Sequence, residues 1–283
     1  MKLLHLNNLK AAKGKKICGS SAGWLIMIDK TSQIISLIEP FNTPKIIQLK
    51  PSFFTKTKEH FHVHKAILST DPELDPFNFS VLAISGEKRQ LAYYNARSQT
   101  WTLLHAAGSS YDDLISHNGK FYAVDEYGKI CQIDYSNLSV IVVFDQWSFG
   151  GNKVYLICID GQLLVIFRYV KENSDFGYET YNFQVFMLNL EEQEYIRIAK
   201  FSEFAIFLGK NHSTWLTADD TKGVIGDSIY FTDDHHSNGH DGHDAGLYDM
   251  EYSRVVPLQC CNRDHLHHVC SRPIWFMSDN IDR

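Results

Sequence analysis

The chain of 283 residues predicts an all-β fold, a kelch-like β-propeller of about six blades with room for an incomplete blade at the amino end. Three observations lead there. Short runs rich in Val, Ile, Phe, Tyr and Leu recur between Gly, Asn, Asp and Ser. Amphipathic stretches of helical length are almost absent. One phrase repeats at roughly 40 to 60 residues, near the blade length of propeller repeats: a turn, an apolar strand, a second turn, a strand closing on Asp or Asn, then a link to an aromatic residue or Leu. A meander of three or four strands leaves an apolar face uncovered, and stacking such units side by side covers it.

The units follow in order. Trp24–Ile28, the pair Thr31-Ser32 and Ile34–Ile38 form a first hairpin, and Phe79–Ile84, Gly86–Lys88 and Leu91–Asn95 a second. In "YDDLISHNGKFYAVDEYGKICQIDY", Leu114–Ser116 passes through Asn118-Gly119 to Phe121–Val124, and Tyr127-Gly128 leads to Ile130–Asp134. Val154–Ile159 turns at Asp160-Gly161 into Leu163–Arg168, and after a polar excursion come Phe183–Asn189 and Tyr195–Ala199. A fifth unit joins Gly226–Thr232 across a long polar loop to Gly246–Asp249 and Val255–Leu258. "RPIWFM" at 272–277 is a strand-like piece expected to close the array. Residues 1–16 read as a basic tail (Lys10, Lys13, Lys15, Lys16) and 17–283 as the propeller.

Composition narrows the function. A net charge of −6 gives no footprint for nucleic acid. No apolar run reaches the length of a membrane span, and the first residues lack the apolar core of a signal peptide. The expectation is a cytoplasmic or nuclear protein whose cysteines (Cys18, Cys131, Cys158, Cys260, Cys261, Cys270) are free thiols.

The phrases "ICGSSAGWLIMID", "ISLIEPF", "KAILSTDPEL", "YDDLISHNGKFYAVDEYGKI", "FLGKNHSTWLTADD", "DSIYFTDD", "GLYDME" and "RPIWF" run in order from Cys18 to Phe276. The series resembles the plant F-box-associated propellers of the KIB, or kink-suppressor, type. That resemblance implies a non-catalytic module that recognises a protein substrate beside an F-box that docks on Skp1 and cullin. No Leu- and Pro-rich F-box segment precedes the first strand in this sequence. Skp1 is therefore expected as a partner only of a longer form.

Four constellations carry chemistry in principle. "TDDHHSNGHDGHDAG" gathers Asp233, Asp234, His235, His236, His240, Asp241, His243 and Asp244, ligand types for Zn²⁺ or Ni²⁺ in what reads as a solvated loop. "CCNRDHLHHVC" holds Cys260, Cys261, His265, His267, His268 and Cys270, without the spacing of a recognised zinc module. The pairs Asp112-Asp113, Asp125-Glu126 and Asp219-Asp220 support the alternative of a glycosidase-like propeller. Adjacent residues on a strand face opposite ways, though, so these pairs are expected to act as turn and strand-end residues. Finally, Trp24, Trp101, Trp147, Trp215 and Trp275 are spread about one per unit; most are expected in the core, with one or two as exposed anchors. "GSSAG" supplies small residues where backbones crowd. No catalytic, cofactor or metal residue is assigned, and no cofactor is expected.

Overall fold

The computed structural model describes residues 12–40, 45–50, 62–145, 150–173, 177–218, 223–234, 244–257 and Trp275. These residues build 21 strands in five antiparallel or mixed sheets, against the sequence count of about five units and about six blades. The first sheet holds β1 (Lys15–Ser21), β2 (Trp24–Asp29), β3 (Ile35–Ile38) and β4 (Ile46–Gln48) in that order. The second holds β5 (Val63–Leu68), β6 (Ser80–Ser85), β7 (Gln90–Asn95) and β8 (Thr100–Leu103). The third holds β9 (Tyr111–His117), β10 (Lys120–Asp125), β11 (Ile130–Asp134) and β12 (Ser139–Phe144).

The fourth sheet holds β13 (Lys153–Ile159), β14 (Gln162–Asn173), β15 (Gly177–Asn189) and β16 (Glu194–Ile198). The fifth has β17 (Phe204–Leu208), β18 (Thr214–Thr217), β19 (Ser228–Phe231), β20 (Gly246–Asp249) and β21 (Arg254–Pro257), in the order β18-β17-β19-β20-β21. The chain divides into two units. Of the described residues, one unit takes in those within 12–125 and 130–142, and the other those within 126–129 and 143–275.

Turn chemistry explains the repeated phrase. Three two-residue turns, Ala22-Gly23, Asn118-Gly119 and Asp160-Gly161, place both residues at positive φ, the geometry that matches the right-handed twist of a hairpin. The phrase "strand closing on Asp or Asn" marks a second device present in all five sheets. Asp29, Asn95, Asp134, Asn189 and Asp249 each end a strand and accept, through a side-chain oxygen, one or two backbone N–H groups of the following turn at 2.7–3.2 Å. Four residues after each stands one at positive φ: Gln33, Gln99, Leu138, Gln193 and Ser253. The Ser32 and Thr31 amides hold the Asp29 carboxyl below its ordinary pKa, and the Ser136 hydroxyl and amide do the same for Asp134.

In the first unit the leading strands share a bulge. Cys18, His64 and Asp112 are each the extra residue, so Gly19, Lys65 and Asp113 occupy the same place on β1, β5 and β9. A Cβ on Gly19 would lie 1.9 Å from the Ala66 carbonyl oxygen, so the backbones of β1 and β5 approach as closely as only glycine permits. Apolar residues fill the space between sheets. Ile26, Leu37, Ala66 and Val81 meet between the first and second, and Ile67, Leu82, Leu114 and Phe121 between the second and third.

In the second unit Tyr155, Ile166, Phe183, Ile206 and Phe231 form the equivalent core. Two features there differ from the sequence expectation. The polar excursion after Arg168 is itself strand: β14 and β15 stay paired out to Asn173↔Gly177, with Tyr181 as a bulge residue. β17 pairs in parallel with β19, a contact that no hairpin pattern announces. The proposed closing strand at 272–277 lies outside the described residues apart from Trp275. That indole donates to the Leu208 carbonyl at 2.8 Å and packs edge-on against Phe207.

Candidate functional site

Of the sequence-predicted candidates, the acidic ends of the His-rich stretch have the most developed geometry. Arg168 on β14 is fully buried and reaches both ends, with Nη1 at 2.7 Å from Asp234 Oδ1 and Nη2 at 2.8 Å from Asp244 Oδ2. Its Nε donates to Thr180 Oγ1, and its remaining donors go to the Thr232 and Asp244 carbonyls and the Tyr155 oxygen. The Tyr155 hydroxyl donates to Asp234 at 2.6 Å, Tyr178 donates to Asp233, and Thr180 donates to Asp244 through both N–H and hydroxyl. The guanidinium also lies over the Phe231 ring at 4.8 Å. Burial opposes the Arg168 charge, but Tyr155, Asp234 and Asp244 outweigh it and hold the group above its ordinary pKa. Burial, reinforced by Asp234, pushes the Tyr155 hydroxyl well up.

This is an anchoring network. Arg168 joins carboxylates that flank residues 235–243 in sequence, and its donors match the carboxylates, hydroxyls and carbonyls around it. His235, His236, His240, Asp241 and His243 lie outside the described residues, as do Cys260, Cys261, His265, His267, His268 and Cys270. Among the described residues no group of three or more His, Cys, Asp or Glu side chains is arranged to hold a metal ion.

The Asp112-Asp113 pair is drawn apart. Asp112 pairs with Arg89 at 2.5 Å, whereas Asp113, one residue on, forms a buried ion pair with Lys65. Asp125 is buried at the end of β10, and Asp219-Asp220 lies outside the described residues. The sequence did not single out Arg168 or Lys65 as partners. Their signal is weak, a cation within an otherwise apolar strand ("LLVIFR", "KAIL"), and the partners stand up to 76 residues away.

The tryptophans split as expected toward the core. Trp24 and Trp101 are buried and donate to Asp71 Oδ1 (2.9 Å) and the Lys50 carbonyl (3.1 Å); Trp215 and Trp275 are part-buried against Phe204 and Phe207. Trp147 lies outside the described residues. None of the four described tryptophans is exposed; the most exposed large apolar side chains among the described residues are Leu74, Phe77, Tyr252 and Ile225.

Leu74 and Phe77 stand out at 82% and 72% exposure, three residues apart in the β5–β6 loop "STDPELDPFNF". The loop is firmly tied. Ser69 and Ser80 close its base through backbone and hydroxyl bonds, and the Asp71 carbonyl accepts from Leu74 and Asp75 N–H in a single helical turn. Asp71 Oδ1 accepts from the Trp24 indole and Glu73 N–H, both at 2.9 Å. Asp75 holds the Asn78 amide at 2.7 and 2.9 Å, Arg97 donates to Asn78 Oδ1, and Lys45 pairs with Glu73. In an antiparallel meander alternate connections fall at one end of a sheet. The turn at Trp24, the β3–β4 connection at Lys45, the β5–β6 loop and the β7–β8 turn at Arg97 therefore share an end of the first two sheets. The third sheet joins that end where Ser116 Oγ donates to the Ser69 carbonyl. Sequence reading missed Leu74 and Phe77; the signal was two large apolar side chains inside a Pro- and Asp-rich loop.

Comparison with known proteins gives four findings. A family model described as KIB1-4 beta-propeller matches residues 2–249. The Arabidopsis thaliana F-box protein SKIP23 is 22% identical over 288 residues, covering 84% of this chain and 70% of that protein. At5g55150, also named as an F-box protein of A. thaliana, is 26% identical over 253 residues, covering 86% and 69%. Among solved structures, that of YjhT aligns with a TM-score of 0.44 at 9% identity, over 86% of this chain and 96% of that one.

Proposed function

Because the chain belongs to the KIB1-4 β-propeller family, we propose that it is a non-catalytic recognition module that binds a protein target with its inter-strand loops. In a form that carries an F-box, it brings that target to a Skp1–cullin ubiquitin ligase. The relatives bear F-box names, and a tethered binding surface raises a target's local concentration at the ligase without any chemistry of its own. The observation that carries the reading is the β5–β6 loop. It holds two large apolar side chains largely in water, where little of their surface is buried by the fold. Rigid presentation of that kind lowers the entropy lost on binding. Of the carboxylates considered for hydrolysis, Asp112 and Asp113 are instead tied to Arg89 and Lys65. The cytoplasm and nucleus, where such ligases act, are the proposed location.

The test is a comparison of protein abundance in Arabidopsis cells expressing the chain fused to an F-box, or the same fusion with its F-box deleted. A target should co-purify with both fusions and fall in abundance only with the first, recovering when cullin neddylation is blocked. Co-purifying proteins whose levels are equal in both lines would remove the ligase role.

A further inference from the structure

The β5–β6 loop also specifies the chemistry of what it meets. Between Ser69 and Phe79 it carries three carboxylates, Asp71, Glu73 and Asp75, and neither Lys nor Arg. Asp71 and Asp75 are held by neutral donors, the Trp24 indole, the Asn78 amide and backbone N–H groups, which fix the carboxylates in place without cancelling their charge. Of the nearby cations, Lys45 is paired with Glu73, and Arg97 is directed to the Asn78 carbonyl oxygen. Leu74 and Phe77, with the exposed Pro76 between them, thus form an apolar knob framed by negative charge.

Resting on the recognition reading above, we propose that this knob is the docking point for a basic segment of the target protein, one that places an apolar side chain against Leu74 and Phe77 and Lys or Arg beside Glu73 and Asp75. Apolar contact supplies the affinity; the carboxylates select a cationic partner and speed its approach. A hydrophobic or acidic segment would leave the Asp71 and Asp75 charges without a cation opposite them.

A random peptide library displayed on phage, selected on the immobilised full chain, tests this. Enriched peptides should carry Lys or Arg within a few residues of an aromatic or aliphatic side chain. Their affinity should fall by more than about tenfold on L74S/F77S, the effect of removing two buried anchors. E73K should weaken them several-fold at low salt and much less at 0.5 M NaCl. Both variants alter exposed side chains, and an unchanged thermal melt confirms that the fold is intact. Peptides that bind L74S/F77S as well as the parent, enrichment of acidic or uncharged sequences, or no enrichment at all would each overturn the proposal. The abundance experiment stands apart: a target degraded through the F-box fusion while L74S/F77S still binds it keeps the recognition role and removes this docking point.

Discussion

At the scale of single residues, the buried charges set the largest expected effects. Arg168 sits at 0% exposure between Asp234 and Asp244, so Arg168→Met leaves two carboxylates buried without their cation. Breaking a buried pair from one side costs about 3–5 kcal/mol, and urea unfolding of the variant should show a loss of that order. Arg168→Lys should recover only part of it, since one ammonium cannot reproduce a planar fork that reaches both carboxylates. The buried Lys65–Asp113 pair makes a cleaner cycle. Lys65→Met alone should destabilise by about 3 kcal/mol, and adding Asp113→Leu should restore most of that, because the orphaned charge rather than the lost attraction is the main cost.

One imidazole gives a pH dependence. Burial holds His117 below its ordinary pKa of 6.5, so the fold favours the neutral ring while the unfolded chain takes up the proton first. Stability present above pH 6.5 is then lost as pH falls through the folded value. Unfolding measured at pH 7.5 and 5.5 should show a larger drop for the parent than for His117→Asn; equal drops would exclude His117 as the source.

Among the elements, the turns carry the repeat. Each of five turns opens on an Asp or Asn and ends at positive φ, yet none has glycine at that last position. A left-handed conformation costs an L-residue about 1–2 kcal/mol, more than the ~0.5–1 kcal/mol of extra entropy a glycine loses. Q99G and Q193G should therefore raise the melting temperature, each by a degree or more, whereas Gly19→Ala should lower stability by about 3 kcal/mol. The contrast separates two uses of backbone freedom: dihedral relief at a turn, and clearance where the added methyl would strike the Ala66 carbonyl. The Asp/Asn phrase and the Asn118-Gly119 and Asp160-Gly161 turns were legible because the bonds they make span only two or three residues. β4, β5, β8, β12 and the β17–β18 pair were not marked as strands. The tail of β14 and β15 carries Lys171, Glu172 and Asn173, polar enough to pass for loop, and is held in the sheet by its partner strand.

Taken whole, the molecule carries a net charge of −6, and its candidate docking surface is acidic as well. Association with a basic partner should accordingly be fast at low ionic strength and slow by tenfold or more between 20 and 500 mM salt, with a smaller change in the dissociation rate; stopped-flow mixing with a selected peptide would measure it. A salt-independent association rate would mean that charge plays no part in the encounter.

By itself the sequence determined that the chain is an all-β propeller built of repeated hairpins, that it resembles the F-box-associated family, and where most turns fall. Alternation of apolar residues and the chemistry of Gly, Asn and Asp act over a few residues, so a linear reading captures them. Only the tertiary structure decided that Asp112 and Asp113 part company toward Arg89 and Lys65, that Arg168 binds Asp234 and Asp244, and that Leu74 and Phe77 stand in water. The burial of a charge and the exposure of an apolar side chain depend on what other strands bring against them, and those strands lie tens of residues away in the chain.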